Sequence, residues 1–449
     1  MPAHLIVLAA GQGSRMKSEL PKVLHRVGHA PLFVHALTAG ETLEPETRVL
    51  VVGHGGDAVQ AEAANYDPDI RIAHQTEQLG TAHAVAQACD ALKGAEGDAF
   101  VLYGDTPFIR PETLSRMAAA RAGGAAVVVL GFEAADPGRY GRLVVEDGTL
   151  ERIVEFKDAT EAERAITLCN SGVICADAAT LFDLIDAVGN DNASGEYYLT
   201  DIVGIARARG LHCAAVTCPE AETMGINTRA ELARAEAIFQ DRRRAEAVDD
   251  GVTMTAPETV FFAYDTHLGR DAVIEPHIVF GPGVTVESDA QIRAFSHLEG
   301  CHVGARAVVG PYARLRPGAE LGNDAKIGNF VEIKSAEIGE GAKVNHLSYV
   351  GDATVGAKAN IGAGTVTCNY DGVFKHRTEI GERAFIGSST MLVAPVRVGD
   401  DAMTGSGSVI TNDVPDGALG LGRAKQVTKD GFAKRLMASL KAAKAKRTN

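Results

Sequence analysis

A chain of 449 residues, 46% of them hydrophobic, is long enough for two or three domains with sizeable cores. A formal charge of −14, the absence of Trp and an aromatic content of 5% argue against a nucleic-acid-binding role. Seven cysteines at irregular spacing, none in a C-x-x-C pair, point to free thiols in a reducing compartment.

The first apolar run, residues 4–10, lacks the positive flank of a secretion leader and enters a glycine loop, so it reads as a β-strand. No apolar run approaches the ~18 residues of a membrane span, and the protein is expected in the cytoplasm. Residues 5–9, 49–52, 99–103 and 126–130 read as buried strands, and 79–92 and 111–121 as helices between them. That alternation predicts an α/β domain with a mostly parallel, Rossmann-like sheet over residues 1–228. Thr228 then precedes a stretch without Gly or Pro, predicting a linker helix over 229–250 with Thr228 and Glu231 as its capping pair.

The first loop runs Ala10-Gly11-Gln12-Gly13-Ser14-Arg15-Met16 and leads to Leu20-Pro21-Lys22. A Rossmann fingerprint would need a third Gly near Met16, and a P-loop would need Gly-Lys-Ser/Thr. Neither is present. The two glycines alone fit a tight turn as well as a phosphate cradle. Arg15 and Lys22 add two fixed positive charges, which suit a triphosphate.

The remaining residues, 251–449, follow a different rule. From about 303 to 410 an aliphatic residue, usually followed by Gly, returns at every sixth position. Val303-Gly304, Val309-Gly310, Leu321-Gly322 and Ile327-Gly328 lie early in this series, and Ile380-Gly381, Ile386-Gly387, Leu392, Val398-Gly399 and Ile410 late in it. A period of six is neither helical nor that of a hairpin strand, and it predicts a solenoid. Residues 251–300 read as an irregular start. The hexads break at Cys368-Asn369-Tyr370-Asp371-Gly372, and an insertion in a solenoid is expected on one face, often the binding face. The basic stretch from Lys429 reads as a solvated helix or frayed tail, or as a cradle whose inner end holds an anionic cofactor.

The string from Leu8 to Lys22, L-A-A-G-x-G-S-R-M-x(5)-K, resembles the signature of the sugar-phosphate nucleotidyltransferases. Gln75 to His83, Tyr103-Gly104-Asp105, Tyr140-Gly141-Arg142, Val154-Glu155, Asn170-Ser171-Gly172 and Gly225-Ile226-Asn227 follow in that family's order. The hexads resemble the left-handed parallel β-helix of the hexapeptide acyltransferases, which work as homotrimers with sites between subunits. Together the halves resemble bifunctional enzymes that join an N-acetylglucosamine-1-phosphate uridylyltransferase to a glucosamine-1-phosphate acetyltransferase. Such enzymes supply UDP-N-acetylglucosamine for peptidoglycan and lipopolysaccharide.

The resemblance implies Mg²⁺ held by Asp105 and Asn227, with UTP and acetyl-CoA as co-substrates. It implies Leu8, Ala9, Ala10, Gly11, Gln75, Gly80, Thr81, Tyr103 and Gly104 around the nucleotide. Gly141, Glu155 and Asn170 would hold the sugar, while Arg15 and Lys22 would offset charge on pyrophosphate. In the solenoid it implies His346 as the base that takes the amine proton, since an imidazole titrates near neutrality, with Glu332 orienting it. Arg316, Lys334, Tyr349, Asn360, Asn369 and Tyr370 would bind glucosamine 1-phosphate. Ala363, Ser388, Ser406 and Arg423 fall at acetyl-CoA positions, with a backbone contact expected of Ser406. A nucleotidyltransferase with a merely structural β-helix, and a non-catalytic pair of binding modules, are the rival readings. The set Arg316, Lys334, His346, Asn369 and Tyr370 counts against the first. Arg15, Lys22, Asp105 and Asn227 count against the second.

Overall fold

The computed structural model describes residues 2–447. Its contacts divide the chain into two compact units, with the division between Arg243 and Arg244.

The first unit is built on a nine-stranded sheet. Its main path runs Cys213–Cys218, Val127–Glu133, Leu168–Asp177, Asp98–Tyr103, Ala3–Ala9, Thr47–Val52 and Arg71–His74. Pairing is parallel except where Leu168–Asp177 enters antiparallel to both neighbours. The hairpin Arg142–Glu146 with Thr149–Val154 hangs from that strand through the Cys169–Arg142 pair. Helices and turns cover both faces, so the central strands are buried throughout and read as continuous apolar runs such as Leu5-Ile6-Val7.

The helix expected over 79–92 is not continuous. Gly80 sits at φ +119° with its Cα against the Tyr197 backbone, so the helix starts only at Thr81 and ends at Ala86. Beyond it the amides of Gln87, Ala88 and Cys89 bond three residues back, which tightens the chain into turns. The helix Arg229–Asp249 is capped as its sequence predicts. Thr228 Oγ1 accepts from the Glu231 amide at 3.2 Å, and the Glu231 carboxylate accepts from the amides of Thr228 and Asn227 at 2.8 and 2.7 Å.

The second unit is a parallel β-helix. Short strands pair in parallel with the coil before and the coil after, at steps of seventeen or eighteen residues, three hexads per coil. One column runs through Val273, Gln291, Val308, Lys326, Lys343 and Asn360. The residue before each of these is a fully buried Ala (Ala272, Ala290, Ala307, Ala325, Ala342 and Ala359), and the residue after is a buried Ile or Val. The column already follows this rule from Val273, inside the stretch where an irregular start was expected; only the first strand departs from it, Thr253 lying twenty residues before Val273 with no alanine ahead of it. The glycine punctuation is sparse there, but the small-then-branched core pattern is intact. The hexads break where the sequence placed the break: Asn360 pairs with Phe385, and residues 369–377 leave the coil.

At one edge the turn residue of each coil has a left-handed backbone and an exposed side chain: His277, Phe295, Tyr312, Phe330 and Leu347, at φ between 51° and 62°. Their rings stack at 4.8, 4.9 and 5.2 Å, which offsets part of the strain of a positive φ at a bulky residue. The basic stretch ends in an exposed helix, Phe432–Arg447; the last two residues of the tail lie outside the described residues. Among the described residues no helix is long and apolar enough to cross a membrane. All seven cysteines are free, and burial pushes the thiols of Cys213 up to about 11 and of Cys218 and Cys301 up to about 12.

A Cβ at Gly339 would lie 2.7 Å from the Ala357 amide nitrogen and 2.9 Å from the Val355 carbonyl of the next coil. Gly339→Ala must therefore push two coils apart, and a loss of about 1–3 kcal/mol is expected in denaturant unfolding of the β-helix.

Candidate active sites

The parallel pairing of Leu8 with Tyr103 brings the ends of two central strands level, so the glycine loop and the Asp105 turn open at one edge of the sheet. That is where ligands bind in open α/β sheets. A cleft of about 330 Å³ lies there. Leu8, Ala9, Ala10, Gly11, Lys22, Gln75, Gly80, Thr81, Tyr103 and Asp105 all line it, as do Gln78 and Glu196. Gly104 stands behind, its amide donating to the Leu8 carbonyl at 2.9 Å. The Gln75 side chain is buried and donates to the Gly80 carbonyl at 3.1 Å, which fixes its amide toward the cleft wall. Burial pushes the Tyr103 phenol far above its ordinary range, so it stays a neutral hydroxyl, hydrogen-bonded to Thr81.

At the mouth of the cleft two cations and two oxygen ligands converge. The Ile226 amide donates to the Asp105 carbonyl at 3.0 Å and so draws Asn227 beside Asp105. Lys22 Nζ contacts the Asp105 carboxylate and reaches Asn227 Oδ1 at 3.1 Å, while Arg15 Nη2 donates to the same oxygen at 2.9 Å. Both oxygens thus lie within reach of one positive centre. A carboxylate and an amide oxygen fit Mg²⁺, which takes few protein ligands and completes its shell with water and phosphate. Among the described residues no group of three His, Cys, Asp or Glu could form an all-protein metal cage.

Gly141, Glu155 and Asn170 are immediate neighbours. A Cβ at Gly141 would lie 3.4 Å from the Glu155 carboxylate and 3.6 Å from Asn170 Cβ, and the Asn170 amide donates to the Gly141 carbonyl at 2.9 Å. Burial raises the Glu155 carboxyl above its ordinary range. The Thr200 hydroxyl, donating at 3.3 Å, opposes this, and Asp201 and Asp158 reinforce it. Glu155 also lines a second cleft of about 330 Å³ with Arg139, Phe156, Lys157, Ser194 and Tyr198.

On the solenoid, His346, Ala363, Ser388 and Ser406 stand in one column. The Gly364 amide donates to the His346 carbonyl at 3.1 Å, Ser389 to Ala363 at 2.7 Å and Gly407 to Ser388 at 2.8 Å. Arg423 closes this column by donating to the Ser406 carbonyl at 2.7 Å. Asn360 lies on the same sheet as His346, in the neighbouring row. Arg316, Lys334, Tyr349 and Asn369 gather around the corner, on the next sheet. Asn369 Nδ2 reaches the Tyr349 hydroxyl at 3.4 Å and contacts the Asp352 carboxylate. Tyr370 does not join this group: it is 60% exposed, and its hydroxyl donates to the Gly372 carbonyl of its own loop at 2.6 Å.

One expected contact is corrected. Glu332 does not orient His346; its carboxylate is taken by Arg316 at 2.8 Å, and His346 Nδ1 meets Asn329 Oδ1 at 2.8 Å. His346 ends a strand of one sheet and Glu332 begins a strand of the next, so their side chains leave the coil in different directions. Asn329 sits one coil below His346 in register, a position that the coil length of seventeen residues points to. Thr200, Asp352 and Lys375 also escaped sequence reasoning. Lys375, in the inserted loop, comes within hydrogen-bonding reach of Lys334, whose positive charge pulls the Lys375 amine below the usual lysine range. Only folding brings these residues to their partners.

Two family models match this chain. Residues 5–171 match the MobA-like NTP transferase domain, and residues 300–335 and 377–412 match the bacterial transferase hexapeptide of six repeats. Fold and sites therefore define a nucleotidyltransferase joined to a hexapeptide-repeat transferase. A "Bifunctional protein GlmU" of Jannaschia sp. is 67% identical over 443 residues, covering 99% of this chain and 97% of that protein. Those of Cereibacter sphaeroides and Paracoccus denitrificans are each 67% identical over 440 residues, 98% of this chain and 97% and 98% of theirs. The chain belongs to the GlmU family of bifunctional enzymes.

The raised Glu155 carboxyl has a measurable consequence. Its folded pKa lies above the unfolded value, so the ionised group weakens the fold at neutral pH. That penalty fades as pH falls through the folded pKa and is gone below the ordinary 4.5. Glu155→Gln should therefore raise the Tm at about pH 8, with the gain shrinking toward about pH 5; a gain that grows on acidification would contradict the burial argument.

Proposed function

We propose that the chain makes UDP-N-acetylglucosamine in two steps, each in its own unit. The β-helix transfers acetyl from acetyl-CoA to glucosamine 1-phosphate, and the first unit joins the product to UTP. The observation that carries this reading is the presence of two separate convergent sets of side chains, Arg15–Lys22–Asp105–Asn227 in one unit and the His346 column in the other.

In the acetyl step the amine nitrogen attacks the thioester carbonyl, the C–N bond forms and the C–S bond breaks. His346 takes the amine proton through Nε2, while Asn329 at Nδ1 fixes the ring orientation. Arg316, Lys334 and Lys375 bind the sugar phosphate, with Tyr349 and Asn369 beside the ring. In the uridylyl step an oxygen of the sugar 1-phosphate attacks the α-phosphorus of UTP, and the bond to the β-phosphate breaks. The nucleophile is already anionic, so positioning and charge neutralisation do the work. Mg²⁺ on Asp105 and Asn227 would neutralise phosphate charge. Arg15 and Lys22 stabilise departing pyrophosphate, Gln75 and Gly80 hold the base, and Gly141, Glu155 and Asn170 hold the sugar.

We infer a homotrimer in the cytoplasm. Within one chain the His346 column and the sugar-phosphate group lie on different sheets around the Leu347 corner. A second copy against that corner completes the acetyl site, and the exposed ring stack Phe295–Tyr312–Phe330 offers the apolar contact.

The two activities should separate. His346→Ala should lower acetyl transfer by about 10²-fold or more and leave UDP-sugar formation intact, and Asp105→Ala should do the reverse. Coupled assays with each substrate omitted check this, and loss of both activities in one variant defeats the two-site reading. Phe330→Glu should dissociate the assembly in light scattering and remove acetyl transfer while uridylyl transfer persists.

A further inference from the structure

Arg142 is 2% exposed, the bulkiest of the fully buried side chains. A charge so deeply placed is costly unless its hydrogen bonds are met. All five of its side-chain hydrogen bonds go to main-chain carbonyls, none to a carboxylate, and its guanidinium lies 6.0 Å from the centre of the Phe156 ring. Nε donates to Arg164 O at 3.4 Å, Nη1 to Pro137 O at 3.3 Å and to Tyr140 O, and Nη2 to Gly138 O at 3.1 Å and Arg164 O at 3.4 Å. A guanidinium has five N–H groups in a rigid plane, so its capacity is fully used.

These carbonyls belong to the two chain segments that flank the sugar cradle. The turn 137–140 is largely exposed, and it sets Gly141 so near Glu155 that a Cβ on Gly141 would lie 3.4 Å from the carboxylate. The turn's own bonds are few: the Tyr140 amide to Pro137 O at 3.1 Å and the Gly138 amide to Asp136 at 3.1 Å. Its shape is therefore set from beneath, by the Arg142 hydrogen bonds together with the Tyr140 ring packed edge-on against Phe132 at 4.9 Å. On the other side Arg164 lies 4.7 Å over the Phe156 ring and donates to the Phe156 carbonyl at 3.3 Å, which fixes the residue after Glu155. One buried cation thus ties the Gly141 turn to the segment that anchors Glu155.

We propose that Arg142 is a positioning residue for the sugar end of the uridylyl-transfer site, setting the distance between Gly141 and Glu155 without touching substrate. This rests on the reading that these two residues hold the sugar. A lysine keeps the charge, but its compact ammonium cannot reach carbonyls spread over a plane. Displacements of about 1 Å in positioning residues can lower rates by about 10²-fold.

The test is the kinetics of Arg142→Lys in the full chain. The KM for N-acetylglucosamine 1-phosphate should rise about tenfold or more. The KM for UTP should stay within about twofold, and acetyl transfer should be unchanged. An unchanged sugar KM, or a parallel rise in both KM values, overturns the proposal. Should the variant not fold, hydrogen exchange on the wild-type chain decides. The amides of residues 138–140 should exchange more slowly than those of the exposed hairpin turn at 147–148, and equal rates overturn the proposal. Glu155→Gln separates the two levels of the argument. If it leaves the sugar KM unaltered, the sugar-site reading fails; if it raises the KM while Arg142→Lys does not, only the role of Arg142 fails.

Discussion

Parallel backbone register is the constraint on which both units depend. Parallel strands place equivalent residues at the same height, so whatever follows one strand lies beside whatever follows its neighbour. In the first unit the Leu8–Tyr103 pair sets the glycine loop beside Asp105. In the second the Asn329–His346 pair sets an amide oxygen beneath an imidazole. The first site needs no long loop folded back on itself, and in the second only Asn369 and Lys375 come from one, the inserted segment 369–377. The chemistry is carried by what parallel pairing leaves at strand ends and coil corners, and the apolar interiors, Leu5-Ile6-Val7 in one unit and the alanine row in the other, hold that register fixed.

The same constraint explains how much could be read in advance. The hexads, the break after Cys368, the Thr228–Glu231 cap and the glycine loop are local signals, and a local signal survives in a linear string. The cleft around Leu8, Gln75, Thr81 and Tyr103 followed from motif order. Contacts across a corner did not. Glu332 and His346 are of complementary chemistry, yet the two-residue corner Phe330-Val331, repeated as Leu347-Ser348 one coil on, sends their side chains onto different sheets. The helix over 79–92 failed for a comparable reason. Its composition favours a helix, but Gly80 lies against the Tyr197 backbone, a tertiary contact that no window of residues contains. The early coils failed in the opposite direction: the glycine punctuation is sparse, while the buried Ala and Ile positions that build the coil are present from Ala272 on.

The cations at the two sites share an arrangement that bears on mechanism. Lys22 is held by Asp105 and Asn227, and Arg316 by Glu332. Each is oriented before substrate arrives, so little side-chain entropy is lost on binding. In the roles proposed above, each would give up a protein partner to meet a phosphate, which would make binding an exchange of partners rather than a new attraction. Such an exchange would hold ground-state affinity down and, for Lys22 in its proposed role, leave the full charge free to act when pyrophosphate develops its own. Arg142 is the counterexample within the same unit. Its five hydrogen bonds are all to carbonyl dipoles, it has no carboxylate to trade, and it is sealed from solvent. In the proposed roles, a cation that meets substrate keeps an exchangeable partner on a partly exposed side chain, as Lys22 and Arg316 do, and one that holds shape is saturated and buried.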